Sequence, residues 1–510
     1  MLLLTLLIIF SAIVLRNIRY GAYLIIFSMP LYLWRFSVLG IPTTALEIMI
    51  YILFLAWITN SLKSKYSHTL GYGSIKSIFY FKIFSKTNFV LNIGIILLFL
   101  GVIISTAFSS DIKTSLGILK GWFFDPFLFF IVFVNVIKTE KEVYSALKSW
   151  LASGIAVSVI SIFYLLSNDL TFDGRLYAFF LSPNHLAMYI SMPFLITLGF
   201  LISKASFNAR DANKKIKIGK LEIGNWKLGS QITNYKLPIT ALIIILIPLY
   251  FTYSYGAFLG LLAGALYLLL SNFNISIFGA QLRSFGVELR KCAKSNLLPP
   301  RHSLHVRSNG KNIYRLGFMI LLFFGLVFLS SSKFNQIINS SDRSSFHSRL
   351  MIWSSAGEII KDNPLFGIGP GTFQETYLSY ADKFSKPYLE WAVPQPHNIF
   401  LAFYLQTGLI GFAGFILVLF WFFQSRRHSR IPPAGGGINN IPISLPYRQA
   451  GNILISLMIY ILVHGLVDTT YWKNDLSLMF WLIIGGGLTT FEMYAKLVSS
   501  DKNESNLKTK

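Results

Sequence analysis

Apolar runs of the length that spans a lipid bilayer recur along almost the whole chain. A transmembrane helix needs about 20 mostly apolar residues. Runs of roughly that length occur at residues 20–38, 44–61, 88–107, 121–138, 147–167, 184–203, 237–254, 256–272, 313–330, 397–423, 451–467 and 476–495. A shorter run at residues 2–15 has no positive charge before it, which makes it a poor cleavable signal peptide. We predict an all-α polytopic membrane protein, one membrane domain over residues 1–510, with twelve or thirteen transmembrane helices.

Composition supports this fold class and excludes several others. With 54% hydrophobic and 13% charged residues, the chain is too apolar to form several soluble domains. Cys292 is the single cysteine. It excludes a disulfide framework within the chain, an iron–sulfur cluster and a thiolate zinc site.

The net charge of +24 would suggest nucleic acid in a soluble protein, but here it indicates topology and no nucleic-acid partner. Most of the 45 basic residues fall in alternate connections between the apolar runs. Because Lys and Arg accumulate on the cytoplasmic side, we place the basic loops 204–236 and 273–315 in the cytoplasm. The loop 331–396 is then extracytoplasmic. Cations on that outer side are informative, because the topology rule does not explain them: Arg35, Lys113, Lys120, Arg175 and Lys473.

The long outer loop has internal structure of its own. Residues 346–361 (FHSRLMIWSSAGEIIK) form an amphipathic pattern, and the breaker-rich stretch 363–371 (NPLFGIGPG) follows it. We predict a helix along the membrane surface and then a stiff turn.

Three places on the outer side carry residues suited to chemistry. The first is Arg175, followed by Asn184, which is positioned to cap the next helix. The alternative for Arg175 is an interfacial side chain that reaches lipid phosphate. The second is Arg349 with Arg343, for which surface ion pairs with nearby acids are the alternative.

The third place is His397, which follows two prolines and opens a long apolar run. We predict that it lies in the first helical turn. There the helix dipole disfavours an imidazolium and favours a neutral ring that can accept a proton. The alternative is a capping or interfacial histidine.

Three acidic residues stand at or near helix ends: Glu47, Asp125 and Asp468. Acids at the edge of a membrane are functional hypotheses by default, and Glu47 and Asp125 have Arg35 or Lys120 as possible partners. No paired aspartates or His/Cys cluster with metal-ligand spacing occur on the outer side. We therefore predict a site without metal or other cofactor.

Four motifs in order resemble the superfamily of O-antigen ligases and O-antigen polymerases. They surround the long outer loop, and the resemblance spans about residues 89–494. The motifs are GRLYAFFLSPNHLA at 174–187, SRLMIW with NPLFGIGPGTF between 348 and 373, PHNIFL with GLIG between 396 and 411, and HGLVD at 464–468.

The resemblance implies a glycosyltransferase of the bacterial cytoplasmic membrane that uses a glycan carried on undecaprenyl diphosphate. It would transfer that glycan to an acceptor hydroxyl outside the membrane. The resemblance assigns catalytic roles to His397, Arg349 and Arg175. Direct attack, with two arginines in place of a metal, would invert the anomeric centre.

One departure concerns Tyr255. Many members have Ser-Arg-Gly where this chain reads Ser254-Tyr255-Gly256, so a phosphate-binding cation is replaced. Either Arg35 or Arg343 takes over the binding of phosphate, or this chain does without that cation. The predicted substrate-binding residues are Arg35, Arg343, Asn398, Asn184, Tyr255 and Asp468.

Two other functions fit parts of the sequence. A lipid-linked oligosaccharide flippase or another transporter also has many helices, but repeat symmetry between halves is missing. A metal-dependent polyprenyl-phosphate glycosyltransferase would need paired outer acids. Within the preferred family, a lipid, a growing glycan and a protein hydroxyl all remain open as acceptor.

Overall fold

The computed structural model describes residues 1–68, 88–217, 228–272, 345–381, 383, 393–428 and 445–508. The apolar run 313–330 and Arg343 lie outside these residues. Helices make up most of the described chain, with one hairpin, a 3-10 helix at Met29–Leu33 and a π-helical segment at Leu119–Phe124. The helices are α1 Leu2–Arg16, α2 Ile18–Phe27, α3 Ala45–His68, α4 Phe89–Ala107, α5 Ile112–Ile118, α6 Asp125–Val136, α7 Glu140–Leu166, α8 Pro183–Lys217, α9 Leu228–Phe251, α10 Tyr255–Asn272, α11 Ser345–Asp362, α12 Phe373–Ala381, α13 Ile399–His428, α14 Leu445–His464 and α15 Asn474–Lys508.

Length and hydropathy agree with a multi-pass membrane protein. In the described part of the chain, seven segments are long and apolar enough to cross a bilayer, including α5 to α6 as one continuous span. Five shorter apolar helices accompany them, namely 2–16, 18–27, 236–251, 255–271 and 449–464. The all-α polytopic fold is confirmed.

The run 20–38 is not one helix, and that prediction was wrong. Helix α2 ends at Phe27, and a two-stranded hairpin follows the 3-10 helix, with β1 at Arg35–Val38 and β2 at Ile41–Thr44. Leu39 and Gly40 form its turn with φ of 52° and 80°. Two positive φ values in a two-residue loop match the twist of a hairpin, so local turn chemistry overrides the apolar pattern. Arg35 therefore lies on a strand.

Helices α4 and α13 pack backbone to backbone through glycines. A Cβ atom on Gly101 would lie 2.1 Å from the amide nitrogen of Gly411, and one on Gly414 would lie 2.2 Å from that of Leu98. Such closeness is possible only with small residues at the contact. The pair fixes the position of α13, the helix that follows His397.

The turn between α11 and α12 docks into a break in α13. Gly408 interrupts that helix with a φ of 68°. The amide of Ile368 donates to the Leu405 carbonyl (2.7 Å), and the amide of Leu409 donates to the Leu365 carbonyl (3.0 Å). The breaker-rich stretch predicted from the sequence is thus joined to a membrane helix by backbone hydrogen bonds.

Helix α11 covers the stretch predicted to be an amphipathic helix. Its buried side chains Ile352, Ala356 and Ile359 form a small core with residues of the turn between α11 and α12, of α12 and of α13. Leu350, an apolar residue of the same stretch, is 42% exposed. The buried face of α11 therefore packs against this chain and holds Arg349 near the start of α13.

Candidate active site

The polar residues singled out from the sequence meet where several helices start and stop. Helices α8 and α15 begin there, α13 begins just after His397, and α9 and α14 end there. The loops between these ends contribute Arg175, Thr252, His397 and Asp468.

Arg175 is held in place by its own loop. Its amide donates to the Thr171 hydroxyl (3.0 Å), which donates back to the Arg175 carbonyl (3.0 Å), while Gly174 provides the positive φ (73°) of the turn. The guanidinium donates from Nε to the Thr252 carbonyl (2.8 Å) and from Nη2 to Asn184 Oδ1 (2.6 Å). Burial lowers the pKa of Arg175. Because the pKa of an unperturbed arginine lies far above neutral pH, the guanidinium stays charged.

Asn184 connects that arginine to the aspartate. Its Nδ2 donates to Asp468 Oδ2 (3.0 Å). The prediction that Asn184 caps α8 was wrong, because Pro183 already begins the helix and Ser182 accepts from the His185 amide through its hydroxyl (3.2 Å). The amide side chain of Asn184 is thereby left to bridge two charged groups.

Asp468 completes the chain of contacts to His397. Its Oδ1 lies 3.3 Å from His397 Nδ1, and it also accepts from the Thr469 amide (2.8 Å). Burial opposes ionisation of this carboxyl, but the hydrogen bond from His397 and the Arg349 charge hold the pKa of Asp468 well below its usual range. An ionised carboxylate only accepts hydrogen bonds, so Nδ1 of His397 carries the proton and Nε2 is the proton acceptor of the neutral ring.

The sequence predicted that His397 lies in the first helical turn, and that prediction was wrong. It precedes Asn398, whose Oδ1 accepts from the amides of Phe400 (2.9 Å) and Leu401 (3.1 Å) and so caps α13. The φ of His397 is 45°, a left-handed conformation that costs about 1–3 kcal/mol in a non-glycine residue. The helix-dipole argument for a neutral ring assumed a position in the first turn, whereas the contact with Asp468 is what orients the ring.

Contacts on both sides hold this strained residue. The Ile399 amide donates to the Gly465 carbonyl (2.7 Å), and Asn398 Nδ2 donates to the Leu466 carbonyl (3.0 Å). On the preceding side, Trp353 Nε1 donates to the Pro396 carbonyl (3.0 Å). The loop before α13 is thus joined to the loop after α14 and to α11.

Arg349 places a second guanidinium beside the first. Its Nε donates to the Val467 carbonyl, the residue before Asp468, at 2.9 Å. Its charge is among the causes that lower the pKa of Arg175. Tyr255 also interacts electrostatically with Arg175. Two cations, a histidine and an ionised aspartate therefore share one small volume.

Of the remaining predicted residues, Arg35 lies on the hairpin rather than on the loops that carry the other charged groups. It is exposed on the hairpin, where it influences Lys473 and Tyr32 electrostatically.

Glu47 and Asp125 form a separate ion cluster around Lys120. The Lys120 ammonium contacts Glu47 Oε2 and lies 3.2 Å from Asp125 Oδ2. Tyr51 donates to Asp125 (2.7 Å), and Asn474 Nδ2 donates to Glu47 Oε1 (2.9 Å). Both acids pair with Lys120, which was one of the two partners considered from the sequence.

Sequence reasoning missed a second histidine–aspartate pair. His185 Nε2 lies 3.0 Å and 3.1 Å from the two carboxylate oxygens of Asp475, and the Tyr32 hydroxyl lies 3.3 Å from His185 Nδ1. His185 stood inside the motif that contains Asn184, but no local signal links it to a residue 290 positions away. Among the described residues, no group of three or more His, Cys, Asp or Glu side chains is arranged to hold a metal ion.

Comparison with known protein families agrees with the four motifs found in the sequence. Residues 240–416 match the model of the family described as O-antigen ligase, which confirms the predicted resemblance. The matched segment contains Thr252, Tyr255, Arg349 and His397, whereas Arg175, Asn184 and Asp468 lie outside it. No curated protein matches the chain by sequence. The chain thus carries an O-antigen ligase domain, which supports a membrane glycosyltransferase-like role.

Proposed function

We propose that this chain transfers a glycan from undecaprenyl diphosphate to an acceptor hydroxyl outside the bacterial cytoplasmic membrane. The single observation that carries the proposal is the hydrogen-bonded chain Arg175–Asn184–Asp468–His397, with Arg349 beside it. It combines cations suited to a diphosphate with a histidine suited to a hydroxyl. The lipid-linked donor and the cellular location come from the family resemblance.

His397 is the proposed general base. With Nδ1 directed to Asp468, its Nε2 makes no hydrogen bond to any described residue, and the His397 side chain is 29% exposed. An acceptor hydroxyl therefore has access to the basic nitrogen. A positioned base of this kind contributes typically about 10²–10⁴-fold to the rate.

Arg175 and Arg349 are proposed to bind the diphosphate. The bond between the anomeric carbon and the diphosphate oxygen breaks as the acceptor oxygen attacks, and the leaving oxygen keeps the electron pair. Guanidinium groups stabilise that developing charge, because their fixed donors match phosphate geometry. The hydroxyl proton moves to His397 Nε2, so the products are the glycosylated acceptor, undecaprenyl diphosphate and a proton later released to water.

The remaining predicted binding residues have supporting roles in this proposal. Asn184 forms hydrogen bonds with both Arg175 and Asp468 and so fixes their relative position, and Asn398 fixes the backbone beside His397. Tyr255 faces the Arg175 charge and offers a hydroxyl at the place where relatives carry a cation. Single displacement without a covalent intermediate inverts the anomeric configuration.

The test is transfer by the purified chain in liposomes. An undecaprenyl-diphosphate-linked glycan and a saccharide acceptor are supplied, and both product formation and release of undecaprenyl diphosphate are measured. We expect equal amounts of the two products and an inverted linkage by NMR. A transporter would instead move the intact donor across the vesicle without releasing undecaprenyl diphosphate.

A parallel assay with EDTA tests whether the arginines act without a divalent cation. Equal rates with and without the chelator are expected, because two guanidinium groups face the diphosphate position. Loss of transfer that added Mg²⁺ or Mn²⁺ restores would contradict that part of the mechanism.

A further inference from the structure

Two further cations near the active site have no side-chain partner among the residues that the structure describes. These are Arg35 on the hairpin and Lys473 at the end of the loop that contains Asp468. Within the part of the chain that the structure describes, neither side chain makes an ion pair or a hydrogen bond. The pattern contrasts with Lys120, whose ammonium contacts two carboxylates.

The fold brings these two residues together through a continuous set of bonds. Arg35 pairs with Thr44 across the hairpin, and the Thr44 amide donates to Glu47 Oε2 (3.2 Å). Glu47 Oε1 accepts from Asn474, the residue after Lys473 (2.9 Å). The hairpin is therefore joined to the start of α15, with Arg35 and Lys473 close enough to influence each other electrostatically.

An ammonium group in this position is unfavourable as it stands. Lys473 is only partly exposed, and burial, aided by the Arg35 charge, lowers the pKa of Lys473. The Asp475 charge partly offsets this shift of the Lys473 pKa, but the Asp475 carboxylate is already bound by His185. Partly buried charges are normally paired, and neighbouring guanidinium and ammonium groups can both donate hydrogen bonds to an oxyanion.

We propose that Arg35 and Lys473 form a second anion-binding subsite, for a phosphate or carboxylate group on the acceptor saccharide. This rests on the proposed function, because it assigns the donor diphosphate to Arg175 and Arg349. Lys473 also senses the charge of Asp468, so the subsite borders the group that orients His397. An acceptor held there by its anionic group would present a neighbouring hydroxyl to the base.

The acceptor is favoured over the donor because of the number of cations. Two guanidiniums already interact with each other at the Arg175 and Arg349 positions, which is enough for bidentate binding of a diphosphate. A second pair, with Arg35 on the hairpin and Lys473 just before α15, serves a different anion. The preferred acceptor is then an acidic glycan.

Binding to the full-length protein in detergent tests this without requiring turnover. The probes are glucose 6-phosphate, glucuronate and uncharged glucose, titrated by calorimetry in the presence and absence of saturating undecaprenyl diphosphate. We expect both charged sugars to bind with undecaprenyl diphosphate present, and glucose not to bind. Arg35→Gln and Lys473→Gln should each weaken binding of the charged sugars by about tenfold to a hundredfold, the range for a hydrogen bond to a charged group.

The controls separate this inference from the proposed function. Lys113→Gln removes an exposed cation on a neighbouring helix and should leave binding unchanged, and Lys473→Arg should retain it. The affinity for undecaprenyl diphosphate should be unaffected by Arg35→Gln. Displacement of the charged sugars by undecaprenyl diphosphate, or equal binding of glucose, would overturn the second subsite. Failure of undecaprenyl diphosphate to bind the unaltered protein would instead contradict the proposed function.

Discussion

Two histidine–aspartate pairs lie near each other, and they differ in how completely the protein uses them. In the pair His185–Asp475, the side chains are 3% and 0% exposed, and the Tyr32 hydroxyl occupies the other side of the ring. In the pair His397–Asp468, the histidine side chain is 29% exposed and its Nε2 has no partner among the described residues. The first pair joins helices, whereas the second leaves an atom available to a substrate.

Backbone conformation separates the pairs as well. His185 lies in the first turn of α8, a regular position, whereas His397 adopts a φ of 45°. Strain of this kind persists only where surrounding contacts over-determine the residue. The comparison teaches that a histidine–aspartate contact alone does not identify an active site. Access to the second nitrogen and a strained backbone are the two features that distinguish the proposed base, His397.

The largest expected effect is on catalysis and follows from replacement of His397. His397→Ala should reduce the turnover of bound donor by about 10²–10⁴-fold, because the proton acceptor is removed. The variant should remain folded and should bind donor with nearly unchanged affinity. Single-turnover transfer and a donor-binding titration measure the two quantities. A variant that failed only to bind donor would show that His397 is a positioning residue.

The matching change in the other pair should act on stability. His185→Ala leaves the buried Asp475 carboxylate without its partner, and breaking a buried pair costs about 3–5 kcal/mol. We expect a lower midpoint of thermal unfolding, with transfer chemistry per folded molecule retained. Tyr32→Phe is the milder control, since it removes a single hydroxyl. Normal stability together with lost turnover would place His185 in the chemistry.

A smaller effect is expected when Asp468 keeps its shape but loses its charge. An amide at this position can donate to Nδ1 and so favour the wrong tautomer of His397. By analogy with other residues that orient a functional histidine, Asp468→Asn should lower the rate by roughly 10–100-fold. The rate should be compared with that of the double variant with His397→Ala. Fully additive losses would indicate that the two residues act independently.

Arg175→Lys should have a still smaller effect. Lysine keeps the charge but loses the planar set of donors that bonds both the Thr252 carbonyl and Asn184. One charge-assisted hydrogen bond is worth about 1.5 kcal/mol or more, so donor affinity should fall by about tenfold. Arg175→Ala should lower it further. Unchanged donor affinity in both variants would remove Arg175 from the diphosphate site.

The smallest effect concerns stability in acid. The pKa of Asp468 is depressed in the folded protein, so its ionised form contributes stability above the unfolded value of about 3.9. That contribution is lost as the pH falls through the folded pKa. His397→Ala removes a bond to the carboxylate, so less of this stability should remain at pH 4. Because the variant has less of this contribution to lose, thermal unfolding between about pH 6 and pH 3 should show a shallower loss for the variant than for the parent.

Much of the fold was predictable because hydrophobic run length is a local property. The helices that contain the runs 88–107 and 147–167 appear as expected. The hairpin was missed because its turn depends on two residues, Leu39 and Gly40, inside an apolar stretch.

Within the site, the residue types were predictable but their partners were not. His397, Arg175 and Arg349 stood out by their position between apolar runs. The contact of His397 with Asp468 joins residues 71 positions apart, and only the packing of α13 against the loop after α14 creates it. The helix-dipole argument for a neutral ring was local, and it assumed that His397 lies in the first helical turn, which it does not.

The broken helix α13 restricts how substrates reach this site. Its hydrogen bonds near Gly408 are completed by the backbone of the 363–371 turn, which is also anchored by Gly369 to Ser105 and by Pro370 to Ser115. Lifting the turn away would leave peptide groups unpaired in apolar surroundings, at a cost of several kcal/mol for each group. The 363–371 turn, which follows the helix that carries Arg349, is therefore a fixed part of the structure rather than a lid. In the proposed reaction, a lipid-anchored donor reaches the site without displacing this turn.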